Sequence, residues 1–142
     1  MKTQSPVPAY QALIPYFAVP DAGALLDFVE HAFGAVRTEV MRAPDGAIRH
    51  AEARIRDCVL MVGQTPSGRT NTLYMYVPNV DETYSRAMAS PGAARSLREP
   101  TDEWYGDRSA GVEDSQGNQW WLATHIEELS SEELQQRALK AR

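Results

Sequence analysis

The sequence holds a single cysteine, Cys58, so it forms no internal disulfide, as suits a protein of the reducing cytoplasm. No stretch approaches the roughly 20 apolar residues that a transmembrane helix needs. Residues Met1 to Pro8 contain no apolar run of signal-peptide length. Basic residues are outnumbered, 14 Lys and Arg against 19 Asp and Glu, for a net charge of −5. Nucleic acid and anionic membrane both demand clustered cations, and that balance argues against either as a partner. Also missing are a nucleophile triad, a glycine-rich phosphate loop and a Cys/His zinc spacing. Cys58 itself precedes the apolar run Val59-Leu60-Met61-Val62, where a buried structural thiol is expected.

What is present is ordinary globular material. The composition is 43% apolar and 23% charged, and 142 residues suffice for one domain, 1–142, with a real core. A weak internal repeat organises it. Tyr16-Phe17-Ala18-Val19-Pro20-Asp21 is answered by Tyr74-Met75-Tyr76-Val77-Pro78-Asn79, and Phe33-Gly34-Ala35 by Pro91-Gly92-Ala93. Each segment reads as a strand, a proline turn, a helix and a glycine stop. The first helix starts from Asp21 as N-cap, ends at Gly34, and buries Ala22, Leu25, Val29, Ala32 and Phe33 at helical spacing. The second starts from Asn79, with Glu82 three residues on, and buries Val80, Tyr84, Ala87 and Met88.

Short extended runs follow each helix. In the first half these are 36–43, a turn at Asp45-Gly46, 47–55 and 59–62. In the second they are a short run near Ser96-Leu97, then 109–113, a turn at 114–117, and 119–124. The chain thus divides into a βαβββ half over 11–63, a linker over 64–71, a second βαβββ half over 72–125, and a polar C-terminal helix over 130–140. That last helix opens on the capping pair Ser130 and Glu133.

Further motifs give this pattern a family likeness. Asp27-Phe28, Ala32-Phe33-Gly34-Ala35, His50-Ala51-Glu52, Trp104-Tyr105-Gly106-Asp107-Arg108 and Trp121-Leu122-Ala123-Thr124-His125-Ile126-Glu127 together resemble the vicinal-oxygen-chelate (glyoxalase/bleomycin-resistance/dioxygenase) superfamily, in its PhnB-like branch. The resemblance implies an α+β fold in which two tandem βαβββ modules form an open, curved, eight-stranded mixed sheet around a cavity. It also implies a homodimer. Two departures stand out: the last turn, usually Asp-Pro-Phe-Gly-His, reads Asp114-Ser115-Gln116-Gly117-Asn118, and a tyrosine usual after Asp-Phe is replaced by Val29.

Metal-dependent members of the superfamily hold a divalent ion with His, Gln or Glu from the first and last strands of each half. Strand-by-strand alignment places these positions at Ile14, Met61, Thr72 and Trp121. A two-residue slip offers Tyr16, Val59 or Gly63, Tyr74, and Gln119 or Ala123. Gln119 alone is a donor, so the usual metal site is expected to be absent and no cofactor is called for. A different divalent site from His50, Glu52 and His125 stays open. His50 and Glu52, at i and i+2, share a strand face and are candidate acid/base residues, or else hold neighbouring strands together. His31 is expected to face solvent.

The same alternation puts Ile14, Tyr16 and Ala18, then Thr72, Tyr74 and Tyr76, then Val59, Met61, Gln119 and Trp121 on the cavity side, with Trp120 in the core. Trp104-Tyr105 would close the mouth. Arg108 would anchor a ligand anion, or pair with Asp107 or Glu113. The expected ligand residues are therefore Tyr16, Met61, Tyr74, Tyr76, Trp104, Arg108, Gln119 and Trp121. They suit metal-independent binding or sequestration of an aromatic or apolar small molecule, bleomycin-resistance-like. The alternatives are a lyase or isomerase using His50 and Glu52, and a glyoxalase- or dioxygenase-like enzyme with an atypical metal site.

Overall fold

The structure, a computed structural model, describes residues 10–141. Strand β1 (Tyr16–Val19) buries Phe17 and Val19 completely and leaves Tyr16 half-exposed. After Pro20, the Asp21 carboxylate accepts the Ala24 amide and starts α1 (Ala22–Phe33). Gly34 ends that helix at φ 70°, a left-handed turn that glycine adopts without a Cβ penalty. Strands β2 (Val36–Arg42), β3 (Ile48–Ile55) and β4 (Cys58–Gln64) complete the first module.

The second module repeats the order with β5 (Thr72–Tyr76), α2 (Val80–Met88), β6 (Ala93–Asp102), β7 (Asp107–Asp114) and β8 (Gln119–His125). Asn79 caps α2 by accepting the Glu82 amide. Helix α3 (Ser131–Lys140) opens on the full Ser130–Glu133 capping box and buries none of its residues.

Among the described residues the eight strands are those of an α+β, doubled βαβββ chain, and their hydrogen bonds run in two four-stranded mixed ladders. The orders are β1-β4-β3-β2 and β5-β8-β7-β6, with β1∥β4 and β5∥β8 as the parallel pairs. The modules meet through their helix-bearing sides. Helix α1 packs on α2, and Phe17 of β1 stacks on Trp120 of β8 at 5.3 Å and 13°. Phe28 and Phe33 of α1 close on the same indole at 6.1 and 5.1 Å. Burial of one such side chain stabilises by roughly 1.5–3 kcal/mol, so the junction is a continuation of the core rather than a hinge.

Buried polar groups lock this seam. Asp114, almost fully buried, accepts the Trp120 indole N–H at 2.9 Å and the amides of Gln116 and Asn118. The buried Asn118 side-chain oxygen Oδ1 in turn accepts the Asn71 amide at 2.8 Å, tying the last turn to the start of β5. At the opposite edge, the Gln11 carboxamide both donates to the Val59 carbonyl and accepts its N–H, at 2.7 and 3.0 Å. A side chain there takes the place of a strand that β1 is too short to supply.

Two expectations are corrected. The run near Ser96-Leu97 is the ten-residue β6, an outer strand with bulged pairing to β7. Cys58 is exposed rather than buried, because it is the first residue of β4, directly after the Arg56-Asp57 turn. Among the described residues no helix is long and apolar enough to cross a membrane.

Candidate functional site

Each ladder has one side against its helix and one open side. Strand parity decides which residues line the open side. On the first ladder, Tyr16 pairs with Met61 and Met61 with Glu52, so these three stand in a row across β1, β4 and β3, with His50 alongside. Tyr16 lies along the sheet above Gly63, where an added Cβ would fall 2.5 Å from its hydroxyl, and its ring comes within 6.0 Å of His50.

Glu52, 8% exposed, accepts the Tyr10 hydroxyl at 2.6 Å and bonds His50 Nε2 at 2.9 Å. The Tyr10 hydroxyl first, then His50, hold the Glu52 carboxyl below its ordinary range against the opposing effect of burial. His50 and Glu52 are thus brought together as the sequence suggested, with an ionised carboxylate as the pair's acidic member.

The second ladder carries Tyr74, Tyr76, Gln119 and Trp121 on its open side, and Tyr74 pairs directly with Trp121. The Trp121 ring lies over Gly111 of β7, whose missing Cβ would come within 2.7 Å of the indole, and Arg98 of β6 stacks 5.5 Å from the ring. Trp121 donates to Gln119 at 3.2 Å. Beside them lies a residue that sequence reasoning considered only as a partner for Arg108. Asp107, 3% exposed, accepts both Tyr74 and Tyr76 hydroxyls, at 2.7 and 2.8 Å, and bonds His125 Nδ1 at 3.0 Å.

Burial pulls the Asp107 carboxyl up, but the bonds from His125, Tyr74 and Tyr76 outweigh it and hold the group below its usual value. The Asp107 bond, followed by that to Glu128, raises His125. Burial, with Tyr105 and Asp107 adding to it, raises Tyr74; the Asp107 bond raises Tyr76. Both phenols therefore stay protonated. The signal that could have found Asp107 is its register: it is opposite His125 in the β7–β8 pair and on the same parity as Ser109 and Gly111.

Other expected residues are placed differently. Arg108 turns to the helix side, one residue out of phase with Asp107. Its guanidinium bonds Asp81 of α2 twice, at 3.0 Å, and Asp102 of β6 at 2.9 Å, not Asp107 or Glu113. Trp104 is 40% exposed and meets Tyr105 edge-on at 5.2 Å. Its carbonyl accepts Arg137 of α3, which also pairs with Glu127. His125 belongs to the second ladder and His50 and Glu52 to the first, so the three do not assemble. His31 is exposed and bonds the Asp27 carbonyl.

The fold family's metal position fits these residues poorly. Tyr16, Met61, Tyr74 and Trp121 occupy the paired first and last strands, with Thr72 opposite Gln119. A thioether, an indole and phenol side chains do not make a divalent-ion site. Among the described residues, no group of three or more His, Cys, Asp or Glu is placed to hold a metal.

No family model matches the chain. Proteins of similar sequence do: an uncharacterized protein of Mycobacterium bovis is 30% identical over 138 residues, covering 87% of this chain and 90% of the relative. An uncharacterized protein of Mycobacterium tuberculosis matches at the same identity, covering 87% and 80%. Among solved structures, TioX from Micromonospora superposes with a TM-score of 0.69 at 24% identity, covering 80% of this chain and 98% of that one. A glyoxalase-related enzyme from Fulvimarina pelagi gives 0.63 at 21%, covering 80% and 87%. The fosfomycin resistance protein FosX from Mesorhizobium loti gives 0.60 at 19%, covering 80% and 91%. The chain belongs to one family with these mycobacterial proteins, and its fold is that of the glyoxalase/bleomycin resistance protein/dioxygenase superfamily.

Proposed function

We propose that this protein binds and sequesters a small aromatic or apolar molecule on its open sheet faces without a metal ion, and that it stands in the PhnB-like branch of its superfamily. The carrying observation is the chemistry at the paired first and last strands. Where metal-dependent relatives of this fold need donors, these strands carry Tyr16, Met61, Tyr74 and Trp121. Tyr16, Tyr74 and Tyr76 remain about half-exposed, at 49, 48 and 52%. Rings held flat over glycine or braced by a buried carboxylate are pre-set stacking surfaces. A resistance role is named for one protein of the same fold, the fosfomycin resistance protein FosX.

Each face is open on one side, so we propose further that a second copy of this cytoplasmic chain covers it in a homodimer. Light scattering of the purified protein checks this, and a monomer at working concentration removes that part of the reading. For binding itself, a panel of planar aromatic ligands is titrated against tryptophan fluorescence. Saturable quenching is expected, weakened about tenfold in Trp121→Ala by loss of the stacking surface. Absence of saturable quenching across the panel sinks the reading.

A second reading, a lyase or isomerase, is favoured by one observation: the ionised Glu52 carboxylate lies 2.9 Å from His50 Nε2, a geometry that suits proton transfer. Any turnover found in a substrate screen should then vanish in His50→Ala; full activity in that variant removes this alternative.

A further inference from the structure

The two ladders do not join, and between them lies a cavity that touches the second open face only through Tyr74 and Tyr76. Strand β1 pairs with β4 only from Met61 onward, so the Cys58–Leu60 part of β4, paired with β3 on one side, has no strand on its other edge. Strand β5 ends its own ladder, so its outer edge is free of a strand as well. These two edges face each other across a slot of about 300 Å³, with Pro15, Val59, Leu73 and Met75 among its walls and Trp120 at its floor. That volume is at the small end of ligand pockets, which are typically about 300–1,000 Å³.

The slot is bounded at one end by a bridging contact. Arg56, between β3 and β4, is the only non-glycine residue with positive φ among the described residues, at 52°. Such a conformation is costly for a side-chain-bearing residue and persists where its surroundings enforce it. Its guanidinium donates to the Tyr76 carbonyl on the β5 edge, joining the two modules across the slot. Cys58, exposed, lines the slot beside it.

We infer that this inter-module slot is a second ligand site, which takes an uncharged planar aromatic molecule of two or three rings, with the Arg56–Tyr76 bridge as its gate. The walls are mostly apolar, with the charged groups of Arg56 and Asp57 confined to the residues of the β3–β4 turn, so they favour a neutral ring system over a charged one that would be stripped of water. A flat ligand suits a gap bounded by two strand edges and the Trp120 indole. The site does not rest on the open-face reading, although both draw on β5: its residues 73–76 line the slot, and the Tyr74 and Tyr76 hydroxyls bond Asp107 at the face.

The test uses N-phenyl-1-naphthylamine, an uncharged aromatic probe that brightens in apolar surroundings, with the full chain. Saturable one-to-one enhancement is expected, together with an about fivefold slower reaction of Cys58 with a thiol reagent, by steric occlusion. Prior labelling of Cys58 with a bulky maleimide should weaken probe binding about tenfold, and Leu73→Trp should do the same by filling the slot. Because Leu73→Trp can fail to fold, the Cys58-labelled wild type carries the test alone if needed. Arg56→Gly, which relieves the positive φ and removes the bridge, should speed probe entry. Lack of saturable enhancement overturns the inference. So does enhancement that survives Cys58 labelling but is lost in Trp121→Ala; that outcome assigns the probe to the open face and leaves the face reading standing.

Discussion

The two open faces reach the same chemistry, a buried carboxylate bonded to tyrosine and histidine, by different construction. On the first, Glu52 draws on His50, two residues away on its own strand, and on Tyr10 from the segment before β1. On the second, Asp107 gathers Tyr74 and Tyr76 from β5 and His125 from β8, so three strands must be in register before the cluster exists. The first cluster is local plus one anchored segment. The second is a tertiary object, and its integrity reports on the whole second ladder.

The largest expected effect breaks the comparison at its carboxylates. Asp107→Ala removes an almost dry carboxylate that two phenols and an imidazole share; because those donors can still reach water, it should cost about 2–3 kcal/mol. Glu52→Ala, with one partner fewer and one of them tied to the edge segment, should cost about 1–2 kcal/mol. Urea unfolding of both variants measures the difference; equal losses would mean the two clusters are structurally equivalent.

The next effect is on titration. His125 is raised from 6.5 and Asp107 lowered from 3.8. For His125 the stabilisation is full below its unfolded value and fades as pH rises through the folded one. For Asp107 it is full above its unfolded value and is lost as pH falls through the folded one. The pair therefore contributes most between about pH 4 and 6.5. An NMR titration should place His125 above the free imidazole, and Asp107→Asn should bring it down. An unchanged His125 in that variant would assign its shift to Glu128 instead.

The smallest effect sharpens the contrast in ring placement. Gly63→Ala meets chiefly the free hydroxyl end of Tyr16, which can swing aside. Gly111→Ala meets the body of the Trp121 indole, held between β7 and Arg98. About 1 kcal/mol or more and a shifted tryptophan emission are expected for Gly111→Ala, against a few tenths for Gly63→Ala. A reversed order would show Trp121 to be the more mobile ring.

The same contrast explains what can be read from the sequence. Helix starts and stops are legible because Asp21, Asn79, Ser130 and Gly34 act on amides within a few residues of themselves. Strand faces are legible wherever apolar and polar residues alternate, as in His50-Ala51-Glu52-Ala53-Arg54-Ile55. Strand β6 is not, because an outer, bulged strand with little buried surface carries no such alternation. His50 and Glu52 can be paired at i and i+2, whereas Asp107 pairs with nothing until the β7–β8 register sets it opposite His125. Arg108 is misdirected for the same reason: its partners, Asp81 and Asp102, come from α2 and β6.

The Gln11 side chain also protects the molecule from its own copies. An unpaired strand edge is a template on which another chain can polymerise, and β4 would offer one at Val59. The Gln11 carboxamide satisfies both backbone groups of that residue. It leaves an incoming strand no hydrogen bonds there, so the seam resists sheet-to-sheet aggregation without being filled. A protein guarded in this way can keep an open gap between its halves and still remain a discrete particle.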